Sequence, residues 1–410
     1  MHVFDLFAGA GGFGLGFKMA GFKISLSLEK DDWAVETLKA NKSSEELILH
    51  EDIRNFHLSQ IGTLSAPEII IGGPPCQGFS VAGPFKDPDD PRNTLFKDFA
   101  LWVKTFSPKI FIMENVTGIY SRRNTDGRLV LDIIKEEFES IGYQVDIWKL
   151  NAALYGVPQM RTRVFIVGNK LGCEIPPPPP THYLNTSINS ELISLKPAIR
   201  VIEAIGDLPF IESGQGTEES QYTILPFHEY QEWARHNCAY VYNHVSMFHT
   251  KRIIERYKYI QNGGNLNDIP FDLKVRKRNG EGTLSNIQYS SNYRHLKDNM
   301  ISYTIPASFY STFIHPFIPR NITSREAARI QSFPDWYIFK GKRTVISSKL
   351  LQKKGRNSEN FLSQYNQIGN AVPPILSYKI AEHIKAFLFK RDILSSREIE
   401  SRIFTDASAF

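Results

Sequence analysis

Residues 1–167 alternate short apolar runs with amphipathic stretches, and this rhythm constrains the fold more than any other feature. Segments 2–7, 23–28, 47–52, 68–71, 110–113 and 163–167 read as strands, and 11–20, 32–41, 95–105 and 130–141 as helices. A repeated strand–helix order predicts an α/β fold, a doubly wound and mainly parallel sheet with helices on both faces. Such sheets bind ligands at the carboxyl ends of their strands. The rhythm stops at Pro176–Pro180, five consecutive prolines that must run as a stiff, extended connector. From there to about residue 360 the chain is rich in Gly, Asn, Ser and Pro, which predicts a smaller second domain of loops and short strands. An apolar helical pattern returns at 373–389.

With 410 residues and 42% apolar content, the chain has material for two domains and a large core, which excludes a disordered tail. No apolar run approaches the roughly 18–20 residues that span a bilayer, so no membrane association is expected. The opening MHVFDLFAGAGGFG has no basic leader before an apolar segment, so no secretory signal is read there. Three scattered cysteines, Cys76, Cys173 and Cys238, make neither a disulfide framework nor a CxxC metal site. A reducing, cytoplasmic setting and no metal are therefore expected. The net charge of +5 permits nucleic-acid binding without arguing for it. Basic residues do cluster, at Lys274, Arg276, Lys277 and Arg278 and again at Lys342, Arg343, Lys349, Lys353, Lys354 and Arg356, as solvated loops or as phosphate contacts.

Gly9-Ala-Gly11-Gly-Phe-Gly14 is a G-x-G-x-x-G after a strand and before a helix, and Glu29 ends the next strand. Glycines there permit a tight turn and close backbone approach, while the acid accepts hydrogen bonds from a ribose. By itself the pattern suits NAD as well as any other adenosine-bearing cofactor. Asp52, at the end of the third strand, reads as an acceptor for an adenine amino group or as a turn residue. GGPPCQGFS, residues 72–80, follows a strand directly, and its two prolines hold Cys76 at the strand's carboxyl end. A thiol in such a loop reads as a nucleophile rather than an inert buried cysteine. No histidine adjoins it. Glu114, at the tip of the 110–113 strand, can instead protonate or hydrogen-bond a ring nitrogen while the thiolate attacks a neighbouring carbon.

These motifs, in this order, resemble the DNA (cytosine-5) methyltransferase family, in particular the stand-alone bacterial enzymes of restriction–modification systems. The resemblance spans nearly the whole chain: DLFAGAGGFG (5–14), GGPPCQGFS (72–80), ENV (114–116), QMRTRVFIVG (159–168), RNITSREAARIQSFP (320–334) and QIGNAVPP (367–374). It implies a Rossmann-like S-adenosylmethionine-dependent methyltransferase fold with a discontinuous catalytic domain, 1–178 and 361–400, and a DNA target-recognition domain, 179–360. It implies S-adenosyl-L-methionine as methyl donor, leaving as S-adenosyl-L-homocysteine, with Phe7, Gly9, Gly11, Glu29, Asp52, Ile53, Pro75, Leu95 and Asn370 around it. Trp33 reads as an adenine-stacking residue or as core. The thiolate of Cys76 would add to C6 of a flipped-out cytosine, Glu114 would hold N3 and the exocyclic amine, and Arg163 would contact O2. Arg161 and Gln159 would support that site.

By the same resemblance Gln77, Ser80 and the 274–278 cluster would face double-stranded DNA, and Arg320, Arg325, Glu326 and Arg329 would organise the recognition domain. A monomer paired functionally with a restriction endonuclease is expected. Two features depart from the family's pattern: roughly thirty residues, many of them basic, separate FPDWY (333–337) from QIGNAVPP, and no N-terminal regulatory region is seen. The tRNA-methylating branch of the superfamily is the nearest alternative, and Gly78 after PPCQ favours DNA. A DNA-binding relative without turnover is the alternative from another class.

Overall fold

The computed structural model describes residues 1–55, 64–75, 95–124, 126–184, 194–264, 269–276, 283–284, 293–307, 309, 312–344 and 361–407, from 391 onward as backbone alone. In chain order its first part runs β1 (His2–Leu6), α1 (Gly12–Met19), β2 (Lys23–Glu29), α2 (Asp32–Asn41), β3 (Leu47–His50), β4 (Ile69–Gly72), α3 (Leu95–Phe106), β5 (Ile110–Val116), α4 (Val130–Ser140), β6 (Gln144–Asn151), β7 (Gln159–Met160) and β8 (Thr162–Asn169). Seven strands pair in the order β3-β2-β1-β4-β5-β8-β6. Every pairing is parallel except those of β8, which runs antiparallel to both β5 and β6. From β1 the chain winds outward to β2 and β3, then returns to place β4 on the other side of β1. A crevice opens at such a reversal point, beyond the carboxyl ends of β1 and β4.

Side-chain alternation along the strands builds the two faces. Phe4, Phe111 and Met113 pack towards α3 and α4, which contribute Phe99, Ile134 and Phe138. Val3, Ile71 and Ile112 face the other way, towards Phe13 and Phe17 of α1 and Ile380 of the C-terminal helix Pro374–Ala407. Burial on both faces is why these strands read as continuous apolar runs. Sequence reading missed β6, where exposed Lys149 and half-buried Asp146 interrupt the apolar residues. It also carried the third strand to residue 52, whereas β3 stops at His50 and Asp52 lies in the turn beyond.

The C-terminal helix lies against α1 at very close range. A Cβ on Gly16 would fall 2.4 Å from the Ser377 Cβ, so only glycine fits there without a shift. The Ser377 hydroxyl donates to the Phe13 carbonyl at 2.5 Å, and Lys385 Nζ to that of Ala20 at 2.9 Å. A third cluster joins Ala10 and Leu15 of the N-terminal segment to Ile205, Ile330, Tyr337 and Ile368. Described residues from several stretches between 199 and 371 thus share a core with the glycine loop, while Tyr257, Ile260 and Ile314 form a smaller cluster of their own.

Buried ion pairs organise this region around the helix Ser324–Ile330. Arg320 grips Glu326 with two bonds of 2.7 and 2.8 Å, and Thr323 and Glu326 form a reciprocal N-terminal cap. Burial pushes the Glu326 carboxyl up, but Arg320 and His315 outweigh it and hold the group far below the usual range. Arg329 sits between Asp335 and Asp207, and Arg325 donates to the carbonyls of Tyr242, Pro334 and Tyr337. All four motif residues are buried and engaged within the protein.

Candidate active site

The glycine loop leaves β1 through three consecutive odd positions with left-handed backbone, Phe7 (φ 57°), Gly9 (φ 55°) and Gly11 (φ 73°). For phenylalanine this conformation costs on the order of 1 kcal/mol or more and persists only where its surroundings impose it. Those surroundings are hydrogen bonds: Ala8 N–H donates to the Leu28 carbonyl at 3.0 Å, Gly9 N–H to Glu29 Oε2 at 2.8 Å, and Gly14 N–H to Asp5 Oδ2 at 3.0 Å. Glu29 receives two further N–H groups, of Lys30 and Asp31, on its other oxygen, and burial nevertheless raises its pKa. A Cβ placed on Gly9 would meet nothing within 4 Å, so the loop presents open space at that point. Such a backbone cradle beside a carboxylate fits a nucleoside-bearing cofactor.

Asp5 lies beneath the loop with Oδ1 buried and lacking a hydrogen-bond partner. Burial, reinforced by Glu46 and slightly by Glu29, pushes its carboxyl up to about 8, against opposing contributions from the Gly14 N–H and Lys18. A folded-state pKa above the unfolded one means that folding favours the protonated acid. Stability is therefore full below the ordinary carboxylate range near pH ~4 and is lost as pH rises to about 8. We expect thermal unfolding between pH 5 and 9 to show a falling midpoint in the wild type and a flatter profile in Asp5→Asn. Parallel profiles would exclude Asp5 as the titrating group.

The other residues expected around a cofactor are distributed as follows. Ile53 and Leu95 are buried in the cluster that Phe7 flanks, Pro75 follows β4 half-buried, and Asn370 is exposed at the end of the helix Gln364–Asn370. Asp52 is engaged elsewhere: Arg54 donates to both its oxygens, at 2.9 and 2.7 Å, and Lys30 approaches at 3.3 Å. Above all the Arg54 hydrogen bonds keep its carboxyl well below the usual range. Trp33, half-buried, packs on Phe361 and against Gly341.

The reversed strand β8 completes the crevice. Because it runs antiparallel to β5, its first residues lie beside the last residues of β5, with Val116 opposite Arg163 and Glu114 opposite Phe165. Glu114 and Arg163 are thus diagonal neighbours on one face, and Arg163 Nε reaches Glu114 Oε1 at 3.0 Å. The two side chains are only 13% and 15% exposed. A Cβ on Gly73 would come within 3.3 Å of Glu114 Oε2, which sets the carboxylate against the start of the GGPPC loop. Cys76, Gln77 and Ser80 themselves lie outside the described residues.

Arg161, two residues before Arg163, points inward. It is 1% exposed and donates to the carbonyls of Ile305 and Gly369, both at 3.0 Å. Gln159, also buried, accepts from Ile305 N–H at 3.0 Å and donates to the Ile330 carbonyl and to Gln331. These bonds tie the 159–161 segment to Ile305, to the end of the helix Ser324–Ile330 and to the helix Gln364–Asn370. Of the basic cluster, Lys274 and Arg276 are half-buried and Arg256 holds the Lys274 carbonyl, while Lys277 and Arg278 lie outside the described residues. Arg343, from the second basic stretch, donates to the Ser246 carbonyl at 3.0 Å. Two contributors escaped sequence reading, Asp5 and Tyr337, whose hydroxyl donates to the Ala10 carbonyl.

Comparison with known proteins decides what this crevice belongs to. The profile of the C-5 cytosine-specific DNA methylase family matches residues 1–386. The chain belongs to that family. It is 44% identical to the Type II methyltransferase M.DdeI of Desulfomicrobium norvegicum, over 97% of this chain and 92% of that one. It is 34% identical to the Type II methyltransferase M1.HphI of Haemophilus parahaemolyticus, over 93% and 85%. Among solved structures, a DNA modification methyltransferase encoded within an E. coli prophage superposes with a TM-score of 0.65 and 26% identity, covering 95% of this chain and 99% of that one. The fold is the methyltransferase fold and the enzyme is a DNA (cytosine-5-)-methyltransferase. No helix among the described residues is long and apolar enough to cross a membrane.

Proposed function

We propose that this enzyme transfers a methyl group from S-adenosylmethionine to C5 of a flipped-out cytosine in a short duplex DNA sequence, through a covalent adduct between Cys76 and C6. The observation that carries this reading is the Glu114–Arg163 pair at the carboxyl end of β5, 3.0 Å apart, with Glu114 set against Gly73 at the start of the segment that leads to Cys76. Phe7, Gly9, Gly11 and Glu29 would hold the methyl donor, with Ile53, Pro75, Leu95 and Asn370 at its edges. Asp52 would join them on adenine by sharing an oxygen that Arg54 already uses. When bound, S-adenosylmethionine supplies an electrophilic methyl group on a sulfonium.

The residues of this chain do the rest. The Cys76 thiolate forms a bond to C6, and the displaced electron pair moves into the ring towards C5, N3 and O2. Glu114 holds N3 and the exocyclic amine, and the Arg163 guanidinium offsets charge at O2. C5, now nucleophilic, takes the methyl group as the sulfur–methyl bond breaks. Loss of the C5 proton to a base returns the electron pair, breaks the Cys76–C6 bond and restores aromaticity. None of this is possible inside a stacked duplex, so the base must leave the helix.

We assign 1–178 with 361–400 to donor binding and chemistry, and 179–360 to DNA, read by Gln77, Ser80 and the 274–278 cluster. Support for the first grouping is the C-terminal helix packed on α1. Acting as a monomer in the cytoplasm, the enzyme would protect host DNA from a companion endonuclease.

The test is transfer of labelled methyl groups to unmethylated duplex DNA and, in parallel, to unmodified tRNA. Label in DNA recovered as 5-methylcytosine is the expected result, and label in tRNA alone would overturn the substrate. In the same assay Glu114→Gln, which keeps shape and removes charge, should slow single-turnover transfer by roughly 100-fold or more while changing DNA affinity only a few-fold. An unchanged rate would remove Glu114 from the chemistry.

A further inference from the structure

Within the glycine loop Gly11 N–H donates to the Ala8 carbonyl at 2.8 Å, and Asp5, Leu28 and Glu29 accept further bonds from it. Another bond comes from 327 residues away: the Tyr337 hydroxyl donates to the Ala10 carbonyl at 2.6 Å. The same oxygen occupies the space beside Gly11, where a Cβ would lie 2.7 Å from it. Tyr337 therefore meets the loop twice, at the carbonyl it satisfies and at the glycine whose missing side chain admits it. Its ring is buried between Phe333 and Phe339, with centroids at 5.1 and 5.6 Å. Burial also pushes the phenol far up, so it stays a donor throughout the working range.

The segment bearing Tyr337 is fixed from both directions. Its carbonyl accepts from Arg325 Nη2 at 2.6 Å, and Arg325 Nε in turn donates to the Tyr242 carbonyl in the hairpin of Gly216–Gln221 with Tyr240–Val245. Just beyond, the amide of Asn41 pairs with both backbone groups of Ile338, and Lys340 N–H donates to Thr37, both residues of α2. An unbroken chain of bonds thus runs from the hairpin through Arg325 and Tyr337 to the Ala10–Gly11 turn.

We propose that Tyr337 is a positioning residue for the methyl-donor loop, holding the Gly9–Gly11 turn in its binding conformation from the half of the protein assigned to DNA. The inference rests on the reading of that loop as the S-adenosylmethionine site. Removing the hydroxyl leaves the Ala10 carbonyl buried without its partner and lets the turn leave its left-handed conformation, so the cofactor must reorder it on binding.

The experiment is calorimetric binding of S-adenosylmethionine to the full-length wild type, Tyr337→Phe and Phe339→Leu, with unfolding midpoints and steady-state kinetics on unmethylated phage DNA. Phe339→Leu loosens the same aromatic cluster without touching the loop. Tyr337→Phe should weaken cofactor binding roughly five-fold, raising KM for the cofactor and leaving kcat at saturation within about two-fold. Phe339→Leu should lower the unfolding midpoint at least as much, with cofactor affinity within about two-fold of wild type. Unchanged affinity in Tyr337→Phe, or an equal loss in both variants, overturns the inference. Failure of the wild type to bind the cofactor overturns the cofactor assignment itself.

Discussion

Cys76→Ala should abolish methyl transfer while S-adenosylmethionine still binds. Without addition to C6, C5 of cytosine has no enamine character and remains a poor nucleophile, so the remaining groups can position but not activate the base. Losing a covalent nucleophile of this kind costs roughly 10⁴-fold or more. Phe7, Gly9, Gly11 and Glu29, which we propose hold the donor, lie at β1 and β2, on different elements from the Cys76 loop after β4. Cofactor affinity measured by calorimetry should accordingly stay within a few-fold of wild type. Full turnover by the alanine variant would exclude the covalent route, whereas loss of both binding and turnover would mean that the loop had a structural role instead. Cys76→Ser is informative beside it, because a hydroxyl is a far weaker nucleophile than a thiolate at neutral pH.

The second large effect concerns stability. Asp335→Ala should destabilise the fold by about 3–5 kcal/mol, the usual penalty for removing one partner of a buried ion pair. Asp335 accepts two bonds of 2.6 Å from Arg329 and another from the Tyr222 hydroxyl at 2.5 Å, and all three charged side chains of the Arg329–Asp335–Asp207 group are fully buried. Burial would raise the Asp335 carboxyl, but Arg329 beside it holds the group below its usual range. With Asp335 gone, Arg329 keeps Asp207 and the Ala204 carbonyl, and Arg325, 3.6 Å from the lost carboxylate, also loses compensation. A domain stable by 5–15 kcal/mol would surrender a large share of that, so the urea midpoint should fall sharply with little change in slope. The exposed pair of Lys258 with Glu255 is the contrast, and Lys258→Ala should move the midpoint very little. Equal shifts in the two variants would show that the buried group contributes nothing particular.

Much of the candidate site could be read from local sequence. The strand–glycine–helix transition at residues 2–19 is written in residue order, and so is the acid at the end of β2. Asp31, which accepts from Ala34 N–H as the N-cap of α2, is a local signal of the same kind. The apolar runs of β1, β4 and β5 revealed strands buried on two faces, and the tips of β1, β4 and β5 do meet at one crevice. What stayed hidden was the direction of β8. Strand propensity carries no sign, and only the antiparallel register with β5 brings Arg163 to Glu114.

The same division explains the arginines. In QMRTR, Arg161 and Arg163 differ by two positions and both read as site residues. One is consumed by the carbonyls of Ile305 and Gly369, while the other meets Glu114 in the crevice. Nor did Asp52 announce that Arg54 would take both its oxygens.

The sequence by itself determined the reaction family, through motifs that resemble a known one, and the strand ends around the candidate site. Those strand ends rest on residue spacing within a segment, where backbone geometry fixes which side chains and amides can converge. Only the tertiary structure decided that β8 reverses, that Arg161 is a brace and that Tyr337 reaches under Gly11. Those contacts join residues far apart in the chain, and they form only when burial of the shared core brings the segments together.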